Sequence, residues 1–452
     1  MELKDLLLTP IYLLLFYMIA YQVRPKATNK LTRKYFIPAL TLKLGGAIAL
    51  GLIYQFYYGG GDTFNYYFHS KLVTQAFYDD PTVGLQLFLS NGEFNPATIK
   101  YTSPMYWYHS PTEFIIVKIG ALFGVIGFNS YTIIAIFFAL VSFTGMWAMY
   151  LTFNKLYPHL HKHFAIACFF MPSVFFWGSG FMKDSITMGA LGWLFYGFYA
   201  AFIEKKSFIK SLIITLLAAW LVYNVKVYVL LSFLPPALFW IFSENNKRIK
   251  NAAVRNLLKP VFIGLGLVFA YFGATKLTEG DDKYDVDKIG ERTKINSEYL
   301  TSSMVATGSA YNIGTFDGSI GSMLAVAPQA VVVSLFRPFL WEVRNPIMLL
   351  SAVEAMIFIY LTVFLFYKTG FGKSFKLIST TPILTFSFIF SLVLAFAVGT
   401  NSGNFGTLVR YKIPLMPFYL SALYIMRYYF VTKKQNIKPK TSLPGTRRPA
   451  TV

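Results

Sequence analysis

The stretch 131-YTIIAIFFALVSFTGMWAMYLTF-153 decides the fold class of this 452-residue chain. It contains no charge, and its apolar residues do not alternate as lipid-facing barrel strands do. About 20 such residues, rising ~1.5 Å each in a helix, cross the ~30 Å hydrocarbon core of a bilayer. Similar runs recur, and the expected spans are 5–22, 35–57, 131–153, 164–178, 185–203, 208–224, 226–243, 260–277, 346–367, 380–399 and 411–430. The chain therefore reads as an all-α polytopic membrane protein with about 11 transmembrane helices. Two shorter apolar segments, 113–128 and 320–336, read as interfacial helices. The composition agrees, with mean hydropathy +0.51. A soluble domain has no means of covering 46 Phe and 31 Tyr. The first run has neither a cationic start nor a small-residue cleavage site, so it reads as a retained helix.

The net charge of +21 does not point to nucleic acid. Most Lys and Arg stand in short loops beside apolar runs, where they meet anionic lipid. These clusters are Arg24 to Lys34, His159 to His163, Lys205 to Lys210, Lys247 to Lys259, Lys368 to Lys376, and the tail from Lys433. All fall on one side of the membrane if 113–128 does not cross. The positive-inside tendency makes that side cytoplasmic, with the N-terminus periplasmic and the C-terminus cytoplasmic in a bacterial inner membrane. Residues 1–432 then form one transmembrane domain, and 433–452 a basic disordered tail. The outer face receives two long loops, 58–130 and 278–345, the second opening acidic with Glu279, Asp281, Asp282, Asp285 and Asp287. The single Cys168 excludes a disulfide framework and reads as a small packing residue.

Charge is scarce, at 13% of residues, so carboxylates at span ends stand out. Asp62 follows Gly59-Gly60-Gly61, a turn able to hold it at the mouth of a site. A helix starting there puts Asp62, Asn65 and Tyr66 on one face, with His69 following. Asp184 follows Lys183 after the loop Trp177-Gly178-Ser179-Gly180. For both acids the plainer reading is a helix N-cap, and for Asp184 also an ion pair with Lys183. Arg410, in Arg410-Tyr411-Lys412-Ile413-Pro414, is either an interfacial anchor or a phosphate-binding fork, with Lys412 beside it. Lys226 and Arg337 are further cationic candidates. His69 and His109, with Tyr106, Trp107 and Tyr108, read either as a sugar-binding surface or as an aromatic belt at the interface. His159, His161 and His163 are spaced as a solvated loop and not as a helical metal site. Within proposed spans, the obvious charges are Lys43 and Glu354.

The order of these features resembles the C-type integral-membrane glycosyltransferases (GT-C fold) that use polyprenyl-phosphate sugars, with polysaccharide polymerases as near neighbours. The resemblance runs over about 35–205 and 405–420. It lies in the early Asp62, then Ser110-Pro111-Thr112, Leu122-Phe123-Gly124, Gly127-Phe128-Asn129-Ser130 and Met171-Pro172-Ser173, the second outer acid at Lys183-Asp184, and Arg410-Tyr411 with Pro414 and Pro417. It implies transfer of a sugar from a polyprenyl-phosphate-linked donor at the outer face. Asp62 acts as base, with Asp184 orienting it, the acceptor or a divalent ion. Arg410, with Lys412, Lys183, Lys226 or Arg337, meets the phosphate. The loop 278–345 covers the site. No second acid stands two positions after Asp62, so a two-carboxylate metal site in that loop is not expected, and a divalent cation is the one cofactor left open. Two other classes compete: a lipid-glycan transporter, which needs charge at mid-membrane, and a non-catalytic subunit of a secretion or envelope assembly.

Overall fold

A computed structural model describes residues 2–246, 291, 294–295, 299, 310–311, 313–314, 317 and 319–436. The expected span 260–277, the acidic opening of the second loop and the end of the basic tail lie outside these residues. The described chain is helical. Its elements are α1 (Leu3–Ala27), α2 (Arg33–Phe56), α3 (Asp62–Asp79), α4 (Pro81–Leu89), α5 (Ile99–Thr102), α6 (Pro111–Ile126), α7 (Tyr131–Leu156), α8 (His161–Ala165), α9 (Pro172–Trp177), α10 (Lys183–Phe198) and α11 (Phe208–Asn246). Then follow α12 (Ile320–Ala325), α13 (Ala327–Phe336), α14 (Pro346–Thr369), α15 (Phe371–Thr380), α16 (Pro382–Asn401), α17 (Phe405–Tyr411) and α18 (Met416–Asn436).

Seven of the described helices are long and apolar enough to cross a membrane, fewer than the expected spans. They are α1, α2, α7, α10 with its π-helical extension to Glu204, α11, α14 and α16. Four expected spans differ for local reasons. The segment 164–178 is interrupted: a π-helical turn Ile166–Phe170 ends at Met171, which is extended before Pro172. The segment 411–430 is continuously helical only from Met416, because Tyr411 ends a separate short helix and Pro414 falls in the turn between them, and this last helix is not among the seven. That last helix runs to Asn436, past the expected start of the tail. The spans 208–224 and 226–243 form one run broken at Lys226, whose φ of −148° and ψ of 78° are not helical. The chain reverses there. Lys226 meets Asp184 at the start of α10, yet both Thr215 before the break and Phe233 after it lie beside the far end, at Gly197 and Phe198. Both expected arms thus pack along α10. Segments 113–128 and 320–336 are the short helices α6, α12 and α13.

The bundle is polarised. Tyr35 donates to or accepts from His161 Nδ1 at 2.9 Å, Lys155 pairs with Glu204, and the Tyr157 and Tyr429 hydroxyls meet at 3.2 Å. These contacts gather the basic connections at one end. His161 and His163 are packed there, the latter edge-on to Tyr424, and do not form a solvated loop. At the opposite end, Asp5 of α1 accepts from Ser130 Oγ and the Thr132 N–H, closing the start of α7. The termini of α1 and α18 that carry Asp5 and Tyr429 therefore lie at opposite ends.

Lys43 and Glu354, two charges within spans, stand at the two ends of the interruption. Helix α9 is only six residues long. Glu354 of α14 accepts from the Ser173 N–H at 2.7 Å and from its hydroxyl. Lys43 of α2, fully buried, donates to the carbonyls of Gly178 at 2.7 Å and Val174 at 3.3 Å, and to Ser142 Oγ at 3.0 Å. An acid thus stands at the positive end of α9 and a base at the negative end. In hydrocarbon, unpaired backbone groups are costly, so this pairing lets a helix break at depth. Both charges are structural partners of α9.

Helices α7 and α10 approach to backbone contact. A Cβ on Gly145 would sit 1.8 Å from the Gly189 carbonyl oxygen, and one on Gly192 2.0 Å from that of Gly145. Small residues at such spacing let membrane helices pack by dispersion. Replacing Gly189 with Val is expected to lower unfolding stability in mixed micelles by ~2 kcal/mol or more, read by SDS titration. Wild-type stability of that variant would show that the two helices do not touch there.

Candidate functional site

Three glycines deliver Asp62. Gly59, Gly60 and Gly61 have φ of +70°, +143° and +125°, a region costly for other residues. A side chain on Gly61 would also strike the Tyr54 ring at 2.9 Å. Gly61 is the N-cap of α3, and Asp62 is its first helical residue, so the capping role considered for Asp62 falls to the glycine. Asp62 Oδ2 instead accepts from Arg410 Nη1 at 3.0 Å, across 348 positions of sequence.

Arg410 bridges the two outer acids. Its Nη2 donates to Asp184 Oδ2 at 3.4 Å. The other oxygen of Asp184 accepts from Lys226 Nζ at 2.5 Å. The result is a line of alternating charge, Asp62, Arg410, Asp184, Lys226, with zero formal sum. Exposure falls from Asp62 inwards to a buried Asp184–Lys226 pair. The Asp62 side chain is 47% exposed, Arg410 18%, Asp184 1% and Lys226 5%. Aromatic rings wall the line. Trp177 lies under the Arg410 guanidinium at 5.8 Å, and Tyr411 under Lys226 at 4.7 Å. Tyr54 is in electrostatic reach of Arg410, Asp62 and Asp184. Burial opposes the charge on Arg410, but Tyr54, Asp184 and Asp62 hold its pKa well above the usual value. The break at Lys226 gives the line its inner end, because reversal of the chain turns that side chain towards Asp184.

Other candidates fall elsewhere. Lys183 does not pair with Asp184. It pairs with Glu113 at 2.5 Å and with Thr112 Oγ1 at 3.0 Å, tying α10 to the start of α6. Lys412 is buried and donates to the Arg337 carbonyl at 2.9 Å. Burial pulls its pKa down to about 8, with Glu354 opposing. Arg337 pairs with Glu342 and lies over Phe405 at 5.2 Å and Tyr311 at 5.7 Å. Lys412 and Arg337 thus form a neighbouring cluster and touch neither Asp62 nor Asp184. His109 Nδ1 engages the Gly92 carbonyl at 2.8 Å, which pins the exposed loop rather than joining the charged line. Asn65 is half-buried one turn after Asp62. Tyr66 is buried against Trp107, with ring centroids 4.5 Å apart. Burial, then Glu113 and Asp62, push its hydroxyl pKa well up. His69 is buried two turns after Asp62, edge-on to Tyr106 at 4.4 Å.

Sequence reasoning did not assign Trp177, Tyr54, Tyr411 or Glu113. The first and third stand in stretches already singled out, directly before a glycine-rich turn and directly after Arg410. Among the described residues, no group of three His, Cys, Asp or Glu side chains is placed to hold a metal ion. No family model matches the chain, and neither does any curated protein or solved structure.

The line makes two predictions. Replacing Lys226 with Met leaves Asp184 with one cation in a buried place and is expected to cost ~3 kcal/mol of stability. Adding Asp184→Asn should cost less than the sum of the two single changes by ~1 kcal/mol or more, measured by SDS unfolding of all four proteins. Strict additivity would show that the pair is not coupled. The second concerns His69, whose pKa burial lowers from 6.5 to about 4. Between those values the unfolded chain binds a proton that the folded chain does not. This contribution is therefore full above pH ~6.5 and is lost as pH falls towards ~4. His69→Phe should flatten that part of the profile, read as thermal midpoint against pH. An unchanged slope would remove His69 as its source.

Proposed function

We propose that this protein is a membrane glycosyltransferase. It moves a sugar or glycan from a polyprenyl-phosphate-type donor to a cell-envelope acceptor at the outer face of a bacterial inner membrane. The observation that carries this reading is the single arginine fork bridging a half-exposed carboxylate to a buried one. The basic loops at the opposite end of the bundle suit a cytoplasmic face there, which leaves the charged line facing outwards.

In this mechanism the donor's lipid tail lies beside the helices. Its phosphate competes with Asp62 for Arg410 Nη1, while Asp184, held by Lys226, keeps the other arm of the fork fixed. The released Asp62 carboxylate accepts the proton of the acceptor hydroxyl. The acceptor oxygen forms a bond to the sugar's anomeric carbon as the bond from that carbon to the phosphate oxygen breaks. The electron pair leaves on phosphate, where Arg410 stabilises it. One base and one displacement invert the anomeric centre. Asp62 suits this role because it stands at the exposed end of the line.

A second reading, a transporter of lipid-linked glycan, is favoured by one feature: helices interrupted at Met171 and at Lys226 inside the bundle. One assay separates the two. Purified protein in proteoliposomes receives a radiolabelled polyprenyl-phosphate sugar and an envelope glycan acceptor. Transfer predicts a new glycosidic bond, and Asp62→Asn is expected to cut its rate by ~10²-fold or more with unchanged yield and thermal midpoint. A wild-type rate in that variant would refute the base role. Movement of intact donor across the bilayer with no new bond would favour the transporter.

A further inference from the structure

His69 is a buried polar side chain on α3 that the charged line does not use. It is wholly buried, yet among the described residues neither ring nitrogen has a hydrogen-bond partner. Buried polar atoms in folded proteins are nearly always paired, and an orphan imidazole is costly. Its position is informative. Asp62 and His69 are seven residues apart, so they share one face of α3 about two turns apart. The His69 ring meets the edges of Tyr106 at 4.4 Å and Trp107 at 5.3 Å, and those two rings lie 5.1 Å apart. Tyr106 is 59% exposed and lies in electrostatic reach of Asp62. A buried neutral imidazole thus sits behind an open aromatic lip, two turns of α3 from the half-exposed carboxylate.

We propose that His69, Tyr106 and Trp107 form a subsite for a neutral sugar ring, the acceptor glycan of the reaction at Asp62. An aromatic face takes the apolar face of a pyranose, and a neutral imidazole offers one donor and one acceptor to a ring hydroxyl. No charge stands among these three side chains, which suits an uncharged glycan better than a phosphate. The ring binds over Tyr106 and Trp107, displaces the Tyr106 side chain from the edge of His69, and places its hydroxyl towards Asp62. This assignment rests on the glycosyltransferase reading for its role but not for its binding chemistry.

The test uses the full-length protein in nanodiscs. Neutral saccharides ending in glucose, galactose or N-acetylglucosamine are titrated against intrinsic tryptophan fluorescence, with Trp107→Phe as the control for the reporting residue. Undecaprenyl phosphate binding is measured in parallel. His69→Phe keeps an aromatic ring, one atom larger, in the same nest and removes both nitrogens. It is expected to weaken saccharide binding about tenfold, to leave undecaprenyl phosphate binding unchanged, and to hold or raise the thermal midpoint. No saccharide binding in the wild type, or equal binding in His69→Phe, overturns the subsite. A lowered midpoint with saccharide binding intact also overturns it, because the nitrogens would then serve a structural water. Saccharide binding that depends on His69, without undecaprenyl phosphate binding, retains the subsite and sinks the donor reading alone.

Discussion

The arginine fork at Arg410 is the constraint on which the rest of the site depends. Two carboxylates and two cations at the end of an apolar bundle are tolerable only when paired, since each ion loses its water on entering. Arg410 meets this by reaching both acids at once, a geometry for which a planar guanidinium is suited and an ammonium is not. Every local peculiarity around it follows from the need to bring those groups together. Three positive-φ glycines turn α2 into α3, the chain reverses at Lys226, and α17 ends three residues before Pro414 in the turn to α18. The same rule governs α9, where Lys43 and Glu354 take up the backbone groups that the break exposes.

Much of this was legible in the sequence because hydrocarbon imposes strong rules. Apolar length marked the long helices, and scarcity of charge marked Asp62, Asp184, Arg410 and Lys226, which the fold brings into one line. The character of 113–128 and 320–336 as short separate helices was also readable. What was not legible was pairing. Lys183 is adjacent to Asp184 in sequence, but consecutive positions on a helix point about 100° apart, and Lys183 turns to Glu113. Lys412 lies two residues from Arg410, yet the turn after α17 carries it to the Arg337 carbonyl. Apolar length also gave no warning that 164–178 breaks, since the residues that permit the break, Lys43 and Glu354, are far away in the chain.

The aromatic residues show the same division. Composition announced their abundance but not their division of labour. Tyr35, Tyr157, Tyr424 and Tyr429 knit the basic end, whereas Trp177, Tyr54 and Tyr411 wall the charged line. A belt at the interface and a lined site use the same residue types, and only the partner of each ring tells them apart.

The separations along the chain carry a consequence for biogenesis. Asp184 and Lys226 are 42 positions apart, while Arg410 is 226 from Asp184 and 348 from Asp62. As the ribosome delivers the polypeptide, Asp184 and Lys226 have both been made, and can pair, once α10 and the first arm of α11 are in place. Asp62 has no cation of this line to pair with until Arg410, 348 positions later, has been made. The long-range pair therefore closes last, and a nascent chain halted before Arg410 is a bundle with its charged line unfinished. The site is in this way complete only once Arg410 has been synthesised and has reached both acids.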